Sequence, residues 1–284
     1  MIQLKTLLRE FEYGERLFDD VKNILNVIFN SPSRRGDITS SEQELAKFSI
    51  TGIERNTKDE ALLLKHLAAF LQGDASATGP GYPKSAQWKA SLKELLALKS
   101  KFPQILDPTS STGGKSFGEY VFRGATIPVE LFLQLDWKFS GSGMYATNPG
   151  KTLRPRSKRG MHSFSGEFGV AKKFAQRNMY GTRPKDLATV ACVIAVPITD
   201  SKLLFNPNFL NLFYRLVGAV EHETIYVNNS ITPDHFIMPR SIAEIYINGA
   251  IWNIDPQYRS QLENLIQQFE REMHIKVVRK KRKS

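Results

Sequence analysis

The spacing of apolar residues changes near Pro103, and that change sets what this 284-residue chain can fold into. Before it, Leu4, Leu7, Leu8, Phe11, Phe18, Val21, Leu25 and Ile28 recur at intervals of three, four and seven. That period marks an amphipathic helix or a broken helix pair, ended by Ser31-Pro32-Ser33 and Gly36. Ser41 with Glu44, and Thr57 with Glu60, have the spacing of capping boxes. They predict a short helix through Phe48 and a longer one to about Gln72. After a Gly/Ala/Ser/Pro-rich loop, a further helix is expected from Ser85 to Lys99, with Trp88, Leu92, Leu95 and Leu96 on one side.

Beyond the polar stretch Asp107–Ser116, short β-rich runs take over: Glu119–Arg123, Met161–Phe164, Thr189–Ile198, Thr224–Val227 and Ile242–Ile247. A helix is expected from Glu167 to Arg177, and a closing one after Asp255 as N-cap with Pro256 at its first position. The chain therefore reads as α+β. A helical N-terminal region, 1–105, precedes an α+β domain, 106–275, and a basic tail, 276–284.

Charge narrows the partners. The net charge is +11, and two short segments carry all of it. The tail holds Lys276, Arg279, Lys280, Lys281, Arg282 and Lys283, and the stretch Lys151–Gly160 holds Lys151, Arg154, Arg156, Lys158 and Arg159. Neither contains an acid, and the rest of the chain is neutral. The internal run includes Pro149, Gly150 and Pro155, so it is a loop. Such segments are solvated ends and turns, or contacts for an acidic partner such as nucleic acid. The lone cysteine, Cys192, excludes an internal disulfide framework and a Cys-rich zinc module; its apolar neighbours predict a core residue. No run of about 18 apolar residues exists to span a membrane. The N-terminus becomes charged at once, unlike a signal peptide, so a cytoplasmic or injected protein is expected.

Several motifs fail. Gly114-Lys115-Ser116 and Gly150-Lys151-Thr152 match the end of a P-loop, but Thr109 and Tyr145 stand where its first glycine belongs. The five histidines show no metal-ligand spacing, so no metal is expected. No G-x-S-x-G elbow is present.

Three features remain. Arg123 closes an apolar strand and is followed by Gly124; it is a surface charge, or a fork for a phosphate with the glycine admitting a ligand to the backbone. Ser163-Phe164-Ser165-Gly166 runs from a strand into a helix carrying Phe174. Its two serines share a strand face and suit a carboxylate or a ribose, with Phe174 as a stacking ring; alternatively Ser165 is a helix cap and Phe174 is core. Glu221-His222-Glu223 leads into Thr224–Val227. On a strand its two carboxylates point the same way, which is either a solvated edge or a site for positive charge developing at a sugar carbon.

In order and spacing, Arg123, Ser163-Phe164-Ser165 and Glu221-His222-Glu223 resemble the signatures of the R-S-E class of mono-ADP-ribosyltransferases. That class includes clostridial binary toxins, vertebrate arginine-specific enzymes and transferases of T-even phages. The likeness covers roughly residues 115 to 255, with Phe164 departing from the usual threonine. It implies a split pair of antiparallel β-sheets around an NAD cleft. Arg123, with Gly124, would grip the NAD phosphates. Ser163 and Ser165 would line the site, Ser163 positioning Glu223, and Phe174 would stand near nicotinamide. Glu223 would be catalytic, and Glu221 would orient an acceptor arginine on a target protein. The segment Phe209–Val220 would recognise the acceptor, with Phe213 and Tyr214 as contacts. Two other readings compete: a transferase that modifies DNA or RNA, held by the 151–159 loop and the tail, and a nonenzymatic nucleic-acid-binding protein.

Overall fold

The computed structural model describes residues 85–110, 118–154, 161–181, 189–207, 223–250 and 255–274. The helices expected between Leu4 and Gln72, the basic tail, the 209–220 segment, Glu221 and His222 lie outside the described residues. In chain order the elements are α1 (Ser85–Leu98), α2 (Pro103–Leu106), β1 (Tyr120–Pro128), α3 (Val129–Gln134), β2 (Lys138–Ser140), β3 (Gly143–Thr147) and β4 (Met161–Ser165). There follow α4 (Phe168–Gly181), β5 (Thr189–Pro197), β6 (Leu203–Leu204), β7 (Glu223–Val227), β8 (His235–Pro239), α5 (Arg240–Ala250), a 3-10 turn (Pro256–Tyr258) and α6 (Arg259–Met273). The chain is α+β, and its strands pair antiparallel. No helix among the described residues is long and apolar enough to cross a membrane.

Two compact units share the chain. Of the described residues, 85–110, 161–162, 201–207 and 223–229 fall in the first, and the remainder in the second.

The second unit is built on strands in the order β2-β3-β8-β5-β1-β4. Its centre is β5, where the unbroken run Val190–Val196 is buried throughout, as a strand covered on both sides requires. Pairing fixes the faces, because residues directly opposite one another share a side. Phe122 pairs with Ala195 and Gly124 with Val193. Ala195 in turn pairs with His235 and Val193 with Ile237; Thr147 and Tyr145 follow on β3. One face thus carries Tyr120, Phe122, Gly124, Val193, Ala195, His235, Ile237, Tyr145 and Thr147. The other carries Val121, Ile194, Phe236, Met238, Met144 and Ala146, none more than 1% exposed. Phe269 of α6 meets Phe139 on this second face at 6.2 Å, and Phe132 of α3 meets Tyr246 of α5 at 5.2 Å. Of these rings Phe269 and Phe132 are fully buried, each contributing about 1.5–3 kcal/mol.

Helix α4 lies on the first face, and its fit depends on Gly124. A Cβ placed there would come within 2.3 Å of the Ala175 nitrogen and 2.6 Å of the Ala171 carbonyl oxygen.

The expected strand Ile242–Ile247 is helical instead, inside α5. Three β-branched residues suggested a strand, but Ile242, Ala243, Tyr246 and Ile247 are the buried set, a spacing of one, four and five. That is one side of a helix, and Arg240 bonds Glu244 one turn on at 2.9 Å. Packing overrides propensity here. Asp255 caps as expected, accepting from the Gln257 amide at 3.1 Å, although Pro256 opens a 3-10 turn before α6.

In the first unit, α1 buries Leu92, Leu95 and Leu98. The short pair β6–β7 sets Leu203 opposite Tyr226 and Leu204 opposite Ile225. Lys99 donates to the Leu203 carbonyl at 3.1 Å while lying 3.7 Å from the Asp107 carboxylate. The Phe205 amide donates to the Leu106 carbonyl at 2.9 Å, and Asn206 to the Ser110 carbonyl at 3.0 Å. These bonds fasten β6 to the end of α2.

Candidate active site

Arg123 sits in mid-strand, between Phe122 and Gly124, because β1 runs on to Pro128. Alternation along β1 turns its side chain away from the face that carries those two neighbours. Its guanidinium Nη1 donates to the main-chain carbonyl of Ser163 at 2.6 Å. The arginine and serine motifs, forty residues apart, therefore meet. The contact is made by β4 backbone, and the Ser163 side chain is exposed.

Gly124 has a different place from the one expected. The space its missing side chain leaves is filled by the backbone of α4 rather than open to a ligand. The glycine admits a helix, which a side chain would push away.

Ser165 is buried, and its hydroxyl oxygen accepts from the Glu167 amide at 3.0 Å. This tightens the turn from β4 into α4, but Ser165 is not the helix cap: Glu167, directly before Phe168, takes the first helical amides, those of Val170 and Ala171, on its carbonyl. Ser165 pairs with Phe122 of β1, so the two share a face. Phe122 in turn meets Phe168, the first residue of α4, edge to face at 5.4 Å. Phe164 points to the other side and is 1% exposed. Phe174 is not core: it is 38% exposed, and the Arg177 guanidinium stands over its ring, 5.4 Å from the centroid. A cation over an aromatic face adds about 0.5–1 kcal/mol when exposed.

Glu223 belongs to the first unit, where it opens β7, and it is only 6% exposed. Its surroundings hold the strand rigidly. The Thr224 hydroxyl lies 2.9 Å from the carbonyl oxygens of both Leu204 and Phe205, to which it donates. Phe205 is fully buried with φ of 76°, a left-handed conformation rare for a non-glycine residue. Its bonded neighbours hold it there against about 1–3 kcal/mol of strain. The Val227 amide donates to the Lys202 carbonyl at 2.8 Å, and the Lys202 ammonium stands over the Tyr226 ring at 5.7 Å. Glu221, two residues before Glu223, lies outside the described residues.

Three contributors escape the sequence motifs. His162 is 1% exposed, and its Nε2 lies 3.0 Å from the Asn228 carbonyl, tying the start of β4 to the exit of β7 within the first unit. Thr224 and Phe205 frame β7. The signal for His162 was its position directly before the serines, on the alternate side of the strand; nothing in the sequence marks Phe205.

No family model, curated protein or solved structure matches the chain.

Proposed function

We propose that the protein is a mono-ADP-ribosyltransferase that cleaves NAD at the nicotinamide glycosidic bond and passes ADP-ribose to an acceptor, preferentially an arginine side chain. One observation carries this reading: among the described residues Glu223 is the only acid or base of the Asp, Glu, Lys and Arg types that is buried. Removing a carboxylate from water is expensive, and reaction sites are where that expense is tolerated. This carboxylate also stands at the catalytic position of the R…S-x-S…E-x-E order.

In this reading Glu223 bonds a ribose hydroxyl and stabilises the positive charge that grows at the anomeric carbon as the bond to nicotinamide breaks. A nitrogen of the acceptor guanidinium then forms the new bond to that carbon and loses a proton. Glu221 orients the guanidinium through paired hydrogen bonds. Arg123 grips the NAD phosphates, and Ser163 positions the catalytic carboxylate. Phe174, already stacked by a cation, offers a ring beside the cofactor. The split pair of β-sheets around NAD is part of the same proposal.

Incubating the purified chain with labelled NAD and a bacterial lysate tests the reading. Label is expected on lysate macromolecules, together with free nicotinamide. Neither label nor nicotinamide would end the enzyme reading. A nucleic-acid acceptor is the second reading, favoured by the exposure of Lys151 and Arg154. Label removed by nuclease supports it; label removed by protease supports arginine.

A further inference from the structure

We infer that the uncovered part of the first face of the second unit's sheet, together with the loop base at Lys151–Arg154, binds single-stranded nucleic acid. The inference does not depend on NAD chemistry.

Helix α4 covers that face at β1 and β5, where Gly124 admits it. Farther across, on β8 and β3, residues of the same face are open: Tyr145 is 44% exposed, Thr147 is exposed, and His235 and Ile237 are half-buried. Their neighbours on the opposite face, Phe236, Met238, Met144 and Ala146, are at most 1% exposed. The contrast isolates a strip of mixed polarity, with the rings of Tyr145 and His235 in it, that is at least partly open to water. At its β1 side Tyr120 meets His235 edge to face, with ring centroids 5.2 Å apart, and His235 Nε2 lies 3.3 Å from the Tyr120 hydroxyl. Three strand spacings separate β3 from β1, roughly 14 Å, enough for more than one base.

The positive charge is fastened to one end of this strip. Thr147 ends β3, and the chain turns at once through Asn148–Lys151, with Gly150 at φ of 85°. Asn148 Nδ2 donates to the Lys151 carbonyl at 2.8 Å and to the Pro233 carbonyl at 2.6 Å, while its Oδ1 accepts from the Lys151 amide at 2.8 Å. Leu153 and Ile231 exchange amide bonds of 2.7 and 2.9 Å, and the hydroxyls of Thr152 and Thr232 lie 3.0 Å apart. Lys151 and Arg154 are therefore exposed cations on a rigid base beside the start of β8. The sequence continues with Arg156, Lys158 and Arg159 and no acid. Lys138, exposed on β2, stands opposite Tyr145 at the far edge. Two exposed acids, Asp234 and Glu119, directly precede His235 and Tyr120, and the positive excess lies in the 151–159 run, which holds five cations and no acid.

Cations for phosphates beside aromatic faces for bases are what sequence-tolerant binding of a single strand requires. A duplex hides its bases and would leave Tyr145 idle. An acidic protein would answer the charge but not the exposed ring.

The test is fluorescence anisotropy with labelled oligo-dT and oligo-U of about 20 nucleotides, on the full chain without NAD, so its outcome is separate from any turnover. Wild type is expected to bind both and to prefer them over a duplex of equal length. Tyr145→Ala weakens binding by roughly fivefold or more, and Tyr145→Phe restores it, since the ring carries the stacking. Lys151→Ala with Arg154→Ala lowers the slope of log affinity against log salt by about 1.4, or 0.7 for each lost phosphate contact. This double variant carries the test if Tyr145→Ala fails to fold. No binding, a preference for duplex, an unchanged Tyr145→Ala, or equal affinity for polyglutamate would each overturn the inference.

Discussion

The Arg123 guanidinium donates to the main-chain carbonyl of Ser163 at 2.6 Å, joining the arginine and serine motifs across two strands of one unit. The bond uses backbone on one side, so replacing the serine does not remove it. Replacing the arginine does.

Arg123→Lys separates charge from shape. Lysine keeps the cation but loses the planar fork that fits a phosphate. If Arg123 grips NAD, nicotinamide release should fall on the order of 100-fold in kcat/KM. Because the side chain is only half-buried, stability should change by less than about 1 kcal/mol. Full turnover in this variant would remove Arg123 from the NAD site.

Gly124→Ala addresses packing. The added carbon would meet the backbone of Ala171, Phe174 and Ala175, none of which can rotate aside. Chemical denaturation should show a loss of about 3 kcal/mol, the upper part of the overpacking range. An alanine tolerated with stability intact would mean that α4 does not sit on β1 in this way.

What the sequence disclosed depended on whether the decisive contacts were local. β5 was legible because seven consecutive small and apolar residues suit only a fully covered strand. The start of α4 was legible because Ser165 signals a turn to residues beside it. The strands β3 and β8 were not, because Gly143–Thr147 and His235–Pro239 become strands only through pairing with each other across the chain. Ile242–Ile247 misled for the same reason: residue type favoured a strand, and burial against distant helices decided otherwise. Of the candidate site, the residues were visible, but the burial of Glu223 and the helix against Gly124 are tertiary facts.

Thr224→Val tests the frame around Glu223. Valine keeps the shape but leaves the carbonyls of Leu204 and Phe205 without their buried donor. Stability should drop by about 1–3 kcal/mol in denaturant titration. If Glu223 is catalytic, kcat should fall as well while KM for NAD stays near its starting value. Thr224→Ser should restore both, since it returns the hydroxyl.

Alkaline stability follows from two buried groups. Burial pushes the Cys192 thiol up to about 12 and raises the Tyr246 hydroxyl above its usual value. Between the ordinary thiol range near 9 and about 12, the unfolded chain loses a proton that the native chain keeps. Stability is therefore intact below pH 9 and falls as pH rises, by at most about 1.4 kcal/mol per pH unit for the thiol, with Tyr246 adding the same sign at higher pH. Cys192→Ala should flatten the decline that begins near pH 9. A thiol reagent should label the native chain far more slowly than the denatured one.

The two glutamates should separate by reaction. Glu223→Gln preserves size and most hydrogen bonding but removes the negative charge needed as nicotinamide leaves. Both transfer and NAD hydrolysis should fall by two to three orders of magnitude, roughly what one electrostatic stabiliser supplies. The fold should survive, because a neutral amide is easier to bury than a carboxylate. Glu221→Ala should remove transfer to arginine yet spare part of the hydrolysis, since water needs no carboxylate to orient a guanidinium. Measuring nicotinamide release and labelled acceptor on the same samples distinguishes the two. If Glu221→Ala and Glu223→Gln lose both reactions equally, Glu221 does more than hold the acceptor. If Glu223→Gln keeps both, the buried carboxylate is structural and the transferase reading fails with it.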